Sequence, residues 1–126
     1  MKKLETREDI ENLVNSFYNR VIKDEKIGFF FTEVARIELE KHLPKMYAFW
    51  ESILFGQMTY KGNPMGAHFP VNEVHAMEQP HFDRWLELWK ATVEESFTGY
   101  TANMAINKSE NIAKLMAFKM ELARRL

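Results

Sequence analysis

The sequence contains no cysteine, and this absence excludes several classes of functional site. Without thiols there is no disulfide framework, no thiolate nucleophile and no cysteine-based zinc or iron–sulfur centre. An excess of one charge is also missing, because 17 basic residues and 18 acidic residues leave a formal net charge of −1. A nearly neutral chain gives no electrostatic reason to expect a nucleic acid or an anionic membrane as partner.

Long apolar runs are absent too. No stretch approaches the length that spans a bilayer, and the charged start of the chain leads into no apolar signal core. The chain has no repeat, no low-complexity stretch and no linker that would separate domains. These features predict one cytoplasmic domain over residues 1–126, with no membrane partner.

Aromatic residues, in contrast, are abundant. Ten Phe, four Tyr and three Trp make up 13% of the chain, within a hydrophobic content of 46%. This composition argues against disorder, and it predicts either a bulky core or a pocket lined by aromatic side chains.

Apolar residues recur at helical spacings of three and four along most of the chain, and period-two alternation is missing. Thr6 followed by Asp9 resembles a capping box at the start of the first helix. The fold class is therefore predicted to be all-α. The predicted helices cover about 6–22, 34–55, 80–99 and 102–125.

Three places in the pattern leave the local structure open. The run Phe29–Phe31 is too short for a helix and is interpreted as a tight turn that directs aromatic rings inward. Pro44 predicts either a break near Lys41–Leu43 or a kink, because proline removes a backbone hydrogen bond. Residues 58–79 have little periodicity, and such a long irregular connection is suspect as a functional segment.

Four histidines, at positions 42, 68, 75 and 81, are the residues most suited to bind a transition metal. In a chain without cysteine, such a site needs imidazole with carboxylates, or imidazole with a cofactor. The common helical zinc and di-iron motifs are absent, and the histidine spacing alone requires no metal.

The order of the aromatic and histidine motifs resembles that of the truncated haemoglobins, specifically their third group. The resemblance covers nearly the whole chain and implies an all-α, shortened globin fold, a two-over-two helical sandwich around haem b. The motifs that carry it are Phe17-Tyr18, Phe29–Phe31, the stretch from His42 to Trp50, the sequence GNPMGAH ending at His68, and the stretch from His81 to Trp89.

Each site residue is assigned through this resemblance. It implies that His68 is the proximal ligand of the haem iron. It also implies that Tyr18, His42 and Trp85 form the distal side, where a gas ligand binds. The residues that would contact the porphyrin or line its pocket are Phe31, Met46, Trp50 and Trp85.

Elementary chemistry agrees with these roles. A neutral imidazole nitrogen is a good ligand for ferrous haem and leaves the opposite axial position open for a gas. Bound dioxygen takes partial negative charge from iron, so hydrogen-bond donors such as tyrosine, tryptophan and histidine strengthen its binding.

The sequence leaves the roles of two histidines open. The chain is longer between His68 and Trp85 than in many relatives, and His75 lies in the extra stretch as a rival proximal ligand. His42 is expected either to gate the pocket or to bind the iron directly when no gas is present.

The leading functional hypothesis is reversible binding of dioxygen, nitric oxide or carbon monoxide at a His-ligated haem. The resemblance leaves open peroxidase-like or nitric oxide dioxygenase activity with an unknown reductase, so the sequence does not decide whether the chain is an enzyme. Two alternatives from other classes are a helical protein-interaction module with an aromatic groove and a small histidine–carboxylate metalloenzyme.

Overall fold

The computed structural model describes residues 1–125, and 74% of the chain is helical. Two short strands, β1 (Lys2–Lys3) and β2 (Phe97–Thr98), pair in parallel, and a π-helical turn covers Phe30–Val34. The predicted all-α class is confirmed. The helices are α1 (Arg7–Val21), α2 (Leu39–Phe55), α3 (Pro64–Val74), α4 (Gln79–Ser96) and α5 (Tyr100–Arg124).

The helices pack as two pairs. Helix α1 packs against α2, α4 packs against α5, and α1 also crosses α4 to join the two pairs. Helix α3 packs on α5 beside these pairs. Within residues 1–125, no helix combines the length and the apolar character needed to cross a membrane.

The start of α1 is fixed by the predicted capping box. The Thr6 side chain accepts a hydrogen bond from the Asp9 N–H at 3.1 Å, and the Asp9 carboxylate accepts one from the Thr6 N–H at 3.0 Å. Asp9 also pairs with the Lys2 ammonium at 2.8 Å. Partial burial raises the pKa of Asp9, but the hydrogen bonds from Lys2 and from the backbone of Glu5 and Thr6 outweigh it and hold the pKa at about 2.

We expect Asp9→Ala to lower the free energy of unfolding by about 2 kcal/mol, since the pKa falls from 3.8 in the unfolded chain to about 2 in the folded chain. A lowered folded-state pKa stabilises the protein above pH 3.8, and this stability is lost as the pH falls toward 2. Denaturant unfolding between pH 7 and pH 2 measures both effects. Glu8→Ala, an exposed carboxylate in the same turn, is the control and should leave the acid limb of the curve unchanged.

The region before α2 differs from its prediction. The run Phe29–Phe31 enters the π-helical turn rather than a tight turn, and α2 begins at Leu39 rather than near residue 34. Arg36 explains the later start, because its φ of 50° lies in the left-handed region and interrupts helical geometry. Pro44 lies inside α2 without breaking it, so the predicted break near Lys41–Leu43 is wrong.

Residues 58–79 also differ from their prediction, because they contain α3. The Asn63 side chain accepts a hydrogen bond from the Gly66 N–H at 3.0 Å, and Pro64 occupies the first helical position. An Asn cap followed by Pro is a strong start signal for a helix. The weak periodicity hid this helix, which also contains Pro70.

Candidate functional site

A cavity of about 700 Å³ lies among α2, α3, α4 and α5. This volume falls within the range of about 300–1,000 Å³ that is typical of sites for small molecules and cofactors. Most of its wall is apolar and aromatic. Six residues that the sequence analysis singled out line it: Phe31, His42, Met46, Trp50, His68 and Trp85.

His68 reaches the cavity from the second turn of α3. Its Nδ1 lies 2.6 Å from the carbonyl oxygen of Pro64, and a carbonyl can only accept, so Nδ1 carries the proton. In the neutral ring this tautomer leaves the lone pair of Nε2 available to a metal. Burial lowers the pKa of His68, and the hydrogen bond to Pro64 opposes this only in part, so the neutral form is favoured.

Tyr18 does not line the cavity, but it forms a hydrogen bond with His42, which does. Tyr18 is buried on α1, and its Oη lies 2.8 Å from Nε2 of His42 on α2. Burial raises the pKa of the Tyr18 hydroxyl, which therefore stays protonated and able to donate. Burial, followed by the charges of Lys45 and His68, lowers the pKa of His42, so its ring is also favoured in the neutral form.

Aromatic contacts hold the remaining wall residues in place. The Phe31 ring meets the Tyr18 ring edge to face at 5.8 Å between centroids. Phe17 makes the same kind of contact with Trp85, also at 5.8 Å. Edge-to-face and stacked pairs contribute about 0.5–1.5 kcal/mol each beyond the area that they bury, so these rings are firmly positioned.

The rival histidine lies outside the cavity wall. His75 is exposed at the C-terminal end of α3, and its ring packs against Phe29 at 4.8 Å between centroids. Its Nδ1 is 3.2 Å from the carbonyl oxygen of Ala76, whereas His68 lines the cavity directly. The placement favours His68 over His75 as the ligand.

His81 also lines the cavity, although the family resemblance assigned it no role. Its Nδ1 accepts a hydrogen bond from the Glu78 N–H at 2.9 Å, so the ring caps the helix as a neutral acceptor. The spacing of four residues to Trp85 on α4 could have revealed that both share one face.

Within residues 1–125, no three His, Asp or Glu side chains lie close enough together to hold a metal ion. The histidine–carboxylate metalloenzyme therefore has no candidate site among the described residues. A single imidazole in the cavity wall, with the lone pair of Nε2 available, suits a metal whose other ligands belong to a cofactor, as in an iron porphyrin.

Helix α3 is tied to α5 by Asn72, a buried amide one turn beyond His68. Its Nδ2 donates to the carbonyl oxygen of Met120 at 3.0 Å, and its Oδ1 accepts from the Met77 N–H at 2.9 Å. The same Oδ1 accepts from the Arg124 guanidinium at 3.0 Å. These bonds fix the position of the helix that carries His68.

We expect Asn72→Ala to lower the free energy of unfolding by about 1–3 kcal/mol, because it leaves buried donors and acceptors without partners. It should also speed the loss of bound cofactor, since α3 is less firmly held. Denaturant unfolding and the rate of transfer of the cofactor to an acceptor protein measure the two effects. Asn107→Ala, an exposed position on α5, is the control; equal effects of both changes would contradict the role of Asn72.

Comparison with known proteins decides the family. The profile of the bacterial-like globin family matches residues 2–122. The chain belongs to the bacterial-like globins. The predicted resemblance to truncated haemoglobins is confirmed, and so is the resemblance to their third group.

Two curated relatives and one solved structure illustrate this globin's place in the family. It is 28% identical to the group 3 truncated hemoglobin ctb of Campylobacter jejuni over 110 residues, 85% of this chain and 84% of the relative. It is 32% identical to the group 1 truncated hemoglobin GlbN of Synechocystis over 87 residues, 68% of each.

The crystal structure of group III truncated hemoglobin from Campylobacter jejuni matches this globin with a TM-score of 0.83 at 24% identity, over 95% of each chain. The predicted shortened globin fold is therefore confirmed. Membership of the family supports haem binding and the binding of a diatomic ligand such as dioxygen in general terms.

Proposed function

We propose that this globin holds haem b in its cavity through Nε2 of His68 and reversibly binds dioxygen, nitric oxide or carbon monoxide at the opposite face of the iron. The observation that carries this proposal is the hydrogen bond from Nδ1 of His68 to the Pro64 carbonyl oxygen. Metal-ligating histidines regularly donate their other ring N–H in this way, which orients the ring and raises its basicity.

The cavity fits an iron porphyrin in size and in chemistry. Its volume of about 700 Å³ and its aromatic walls suit a large flat apolar group. Tyr60 and Lys61 also line it and offer polar contacts to the carboxylates of a porphyrin. When bound, haem supplies the iron at which a gas ligand coordinates and the redox chemistry that follows.

The pair formed by Tyr18 and His42 supplies the distal donors. If Nε2 of His42 donates to Oη of Tyr18, the hydroxyl proton of Tyr18 is left to point at the gas ligand. The same bond holds His42 away from direct ligation, which supports a vacant distal position over the six-coordinate alternative. Trp85 lines the cavity as well and offers its indole N–H as a further donor.

A pocket with several donors favours ligand retention or redox chemistry over delivery, because each hydrogen bond slows ligand release. Peroxidase-like activity and nitric oxide detoxification are therefore the catalytic forms of this proposal. The first takes its electrons from a reducing substrate, and the second requires a reductase; neither electron donor is yet identified. Cytoplasmic localisation and a single domain over residues 1–126 stay predictions from the sequence.

Absorption spectroscopy of the purified protein tests the proposal. We expect a red protein with an intense Soret band, a five-coordinate ferrous spectrum and stable adducts with dioxygen and carbon monoxide. Protein purified without colour should regain these bands when haemin is added at equal concentration. A folded protein that takes up no haemin would contradict haem binding and favour the interaction module.

A further inference from the structure

Three indole rings form a continuous group that starts at the cavity and ends in the core. Trp50 on α2 and Trp85 on α4 both line the cavity, and Trp89 lies behind them with an exposed fraction of 1%. The rings of Trp50 and Trp89 are stacked, with centroids 4.4 Å apart and planes 17° apart. The rings of Trp85 and Trp89 are nearly parallel, at 6.2 Å and 2°.

This geometry favours the loss of an electron from the stacked pair. When an indole loses an electron, it becomes a cation, and the π face of a second indole stabilises a cation that lies against it. The Nε1–H of Trp89 donates to the carbonyl oxygen of Ala105 at 3.1 Å, and such a bond strengthens when the donor becomes positive.

We propose that the pair Trp50–Trp89, reached directly from the cavity through Trp50 or by relay through Trp85, is the oxidation site of this globin when it meets a peroxide. The inference rests on the proposed function, because the peroxide reacts at the haem that the cavity holds. The pair gives up electrons in place of the porphyrin and of the axial ligand His68, and so spares the site from damage.

The net reaction balances with hydrogen peroxide as the oxidant. The O–O bond of the peroxide breaks, and the peroxide gains two electrons. One of its oxygen atoms forms a C–O bond with an indole carbon, and that indole loses two electrons. The hydrogen displaced from the indole carbon leaves with the second oxygen atom in one molecule of water.

The identity of the oxidised residue distinguishes haem-dependent oxidation of the tryptophan pair from direct oxidation by free peroxide. Exposed thioethers are oxidised first by free peroxide, and Met58 is 92% exposed whereas Trp89 is buried. We therefore expect different residues to be oxidised first in the protein with haem and in the protein without haem. In the haem-loaded ferric protein the added oxygen should lie on Trp50 or Trp89, and in the protein without haem it should lie on the exposed methionines Met1 and Met58.

Peptide mapping by mass spectrometry after a limited amount of hydrogen peroxide measures this order. Rapid freezing followed by electron paramagnetic resonance should show a tryptophan-centred radical in the haem-loaded sample. Oxidation of the cavity methionines Met46, Met77 and Met116 with unmodified indoles would overturn the proposal. Oxidation confined to the exposed methionines in both samples would overturn it too.

Two variants and a matched control complete the test. Trp89→Phe and Trp50→Phe each remove one member of the stack, and each should weaken the tryptophan radical signal and speed the bleaching of the Soret band by peroxide. Phe97→Leu alters another buried aromatic residue outside the cavity wall and should leave the radical signal unchanged.

The Soret band recorded before peroxide is added distinguishes failure of the proposed haem site from failure of the proposed oxidation site. Its absence in the wild type would refute the haem site itself, whereas an intact band with unmodified indoles after peroxide would refute only the role of the pair. Bleaching of Trp89→Phe at the wild-type rate would also count against the pair.

Discussion

Replacement of His68 by glycine is expected to weaken haem binding more than about 100-fold and to abolish the five-coordinate ferrous spectrum. Mutation of a residue that only hydrogen-bonds to a metal ligand already lowers metal affinity by about 10–100-fold, and loss of the ligand itself should cost more. The change removes the cavity-lining imidazole, whose Nε2 is left available to iron because Nδ1 donates to the Pro64 carbonyl oxygen. Haemin titration and the rate of haem loss to an acceptor protein measure the affinity. The ferrous spectrum reports on coordination.

Imidazole added to His68→Gly should enter the vacated space and restore the five-coordinate spectrum, whereas a merely unstable variant would not respond. His75→Gly is the matched control, since that residue lies outside the cavity wall and should keep the wild-type spectrum. If His75→Gly loses the ferrous spectrum and His68→Gly keeps it, the proximal ligand is His75 and the assignment to residue 68 is wrong.

Much of the fold could be predicted because its signals are local. The capping box of Thr6 and Asp9 and the apolar stripe behind it fixed the start of α1 to within a residue. The helix Pro64–Val74 was missed because it is short and its apolar residues have little periodicity. The π-helical turn at Phe30–Val34 was missed for another reason: its ring positions depend on contacts with distant residues such as Tyr18 and His75.

Most members of the candidate site could be predicted, but its hydrogen bonds could not. The order of motifs indicated that four residues share one pocket; His42, His68 and Trp85 line the cavity, whereas Tyr18 does not line it and is hydrogen-bonded to His42. The bond between Tyr18 and His42 joins side chains 24 positions apart, and no spacing along the chain reveals it. It depends on how α1 packs against α2, which the three-dimensional structure alone provides.

The hydrogen bond between Tyr18 and His42 couples the two residues that we propose as distal donors. If the Tyr18 hydroxyl accepts a hydrogen bond from His42, it is free to donate its own proton to the gas ligand. If it donates to His42 instead, that proton is not available to the ligand. The tautomer of His42 therefore decides whether Tyr18 stabilises the ligand. Substitutions at the two positions should not be additive, because they share one hydrogen bond.

We expect Tyr18→Phe to speed dioxygen release by about five- to 100-fold, since a hydrogen bond in a dry pocket contributes about 1–3 kcal/mol. His42→Leu should have a smaller effect, and the double variant should release dioxygen little faster than Tyr18→Phe alone. Flash photolysis and stopped-flow exchange against carbon monoxide measure these rates. Tyr47→Phe is the matched control, because it removes a tyrosine hydroxyl whose partner, Asn15, does not line the cavity. An unchanged release rate in Tyr18→Phe would show that the tyrosine proton is directed at His42, and the distal role would then pass to Trp85.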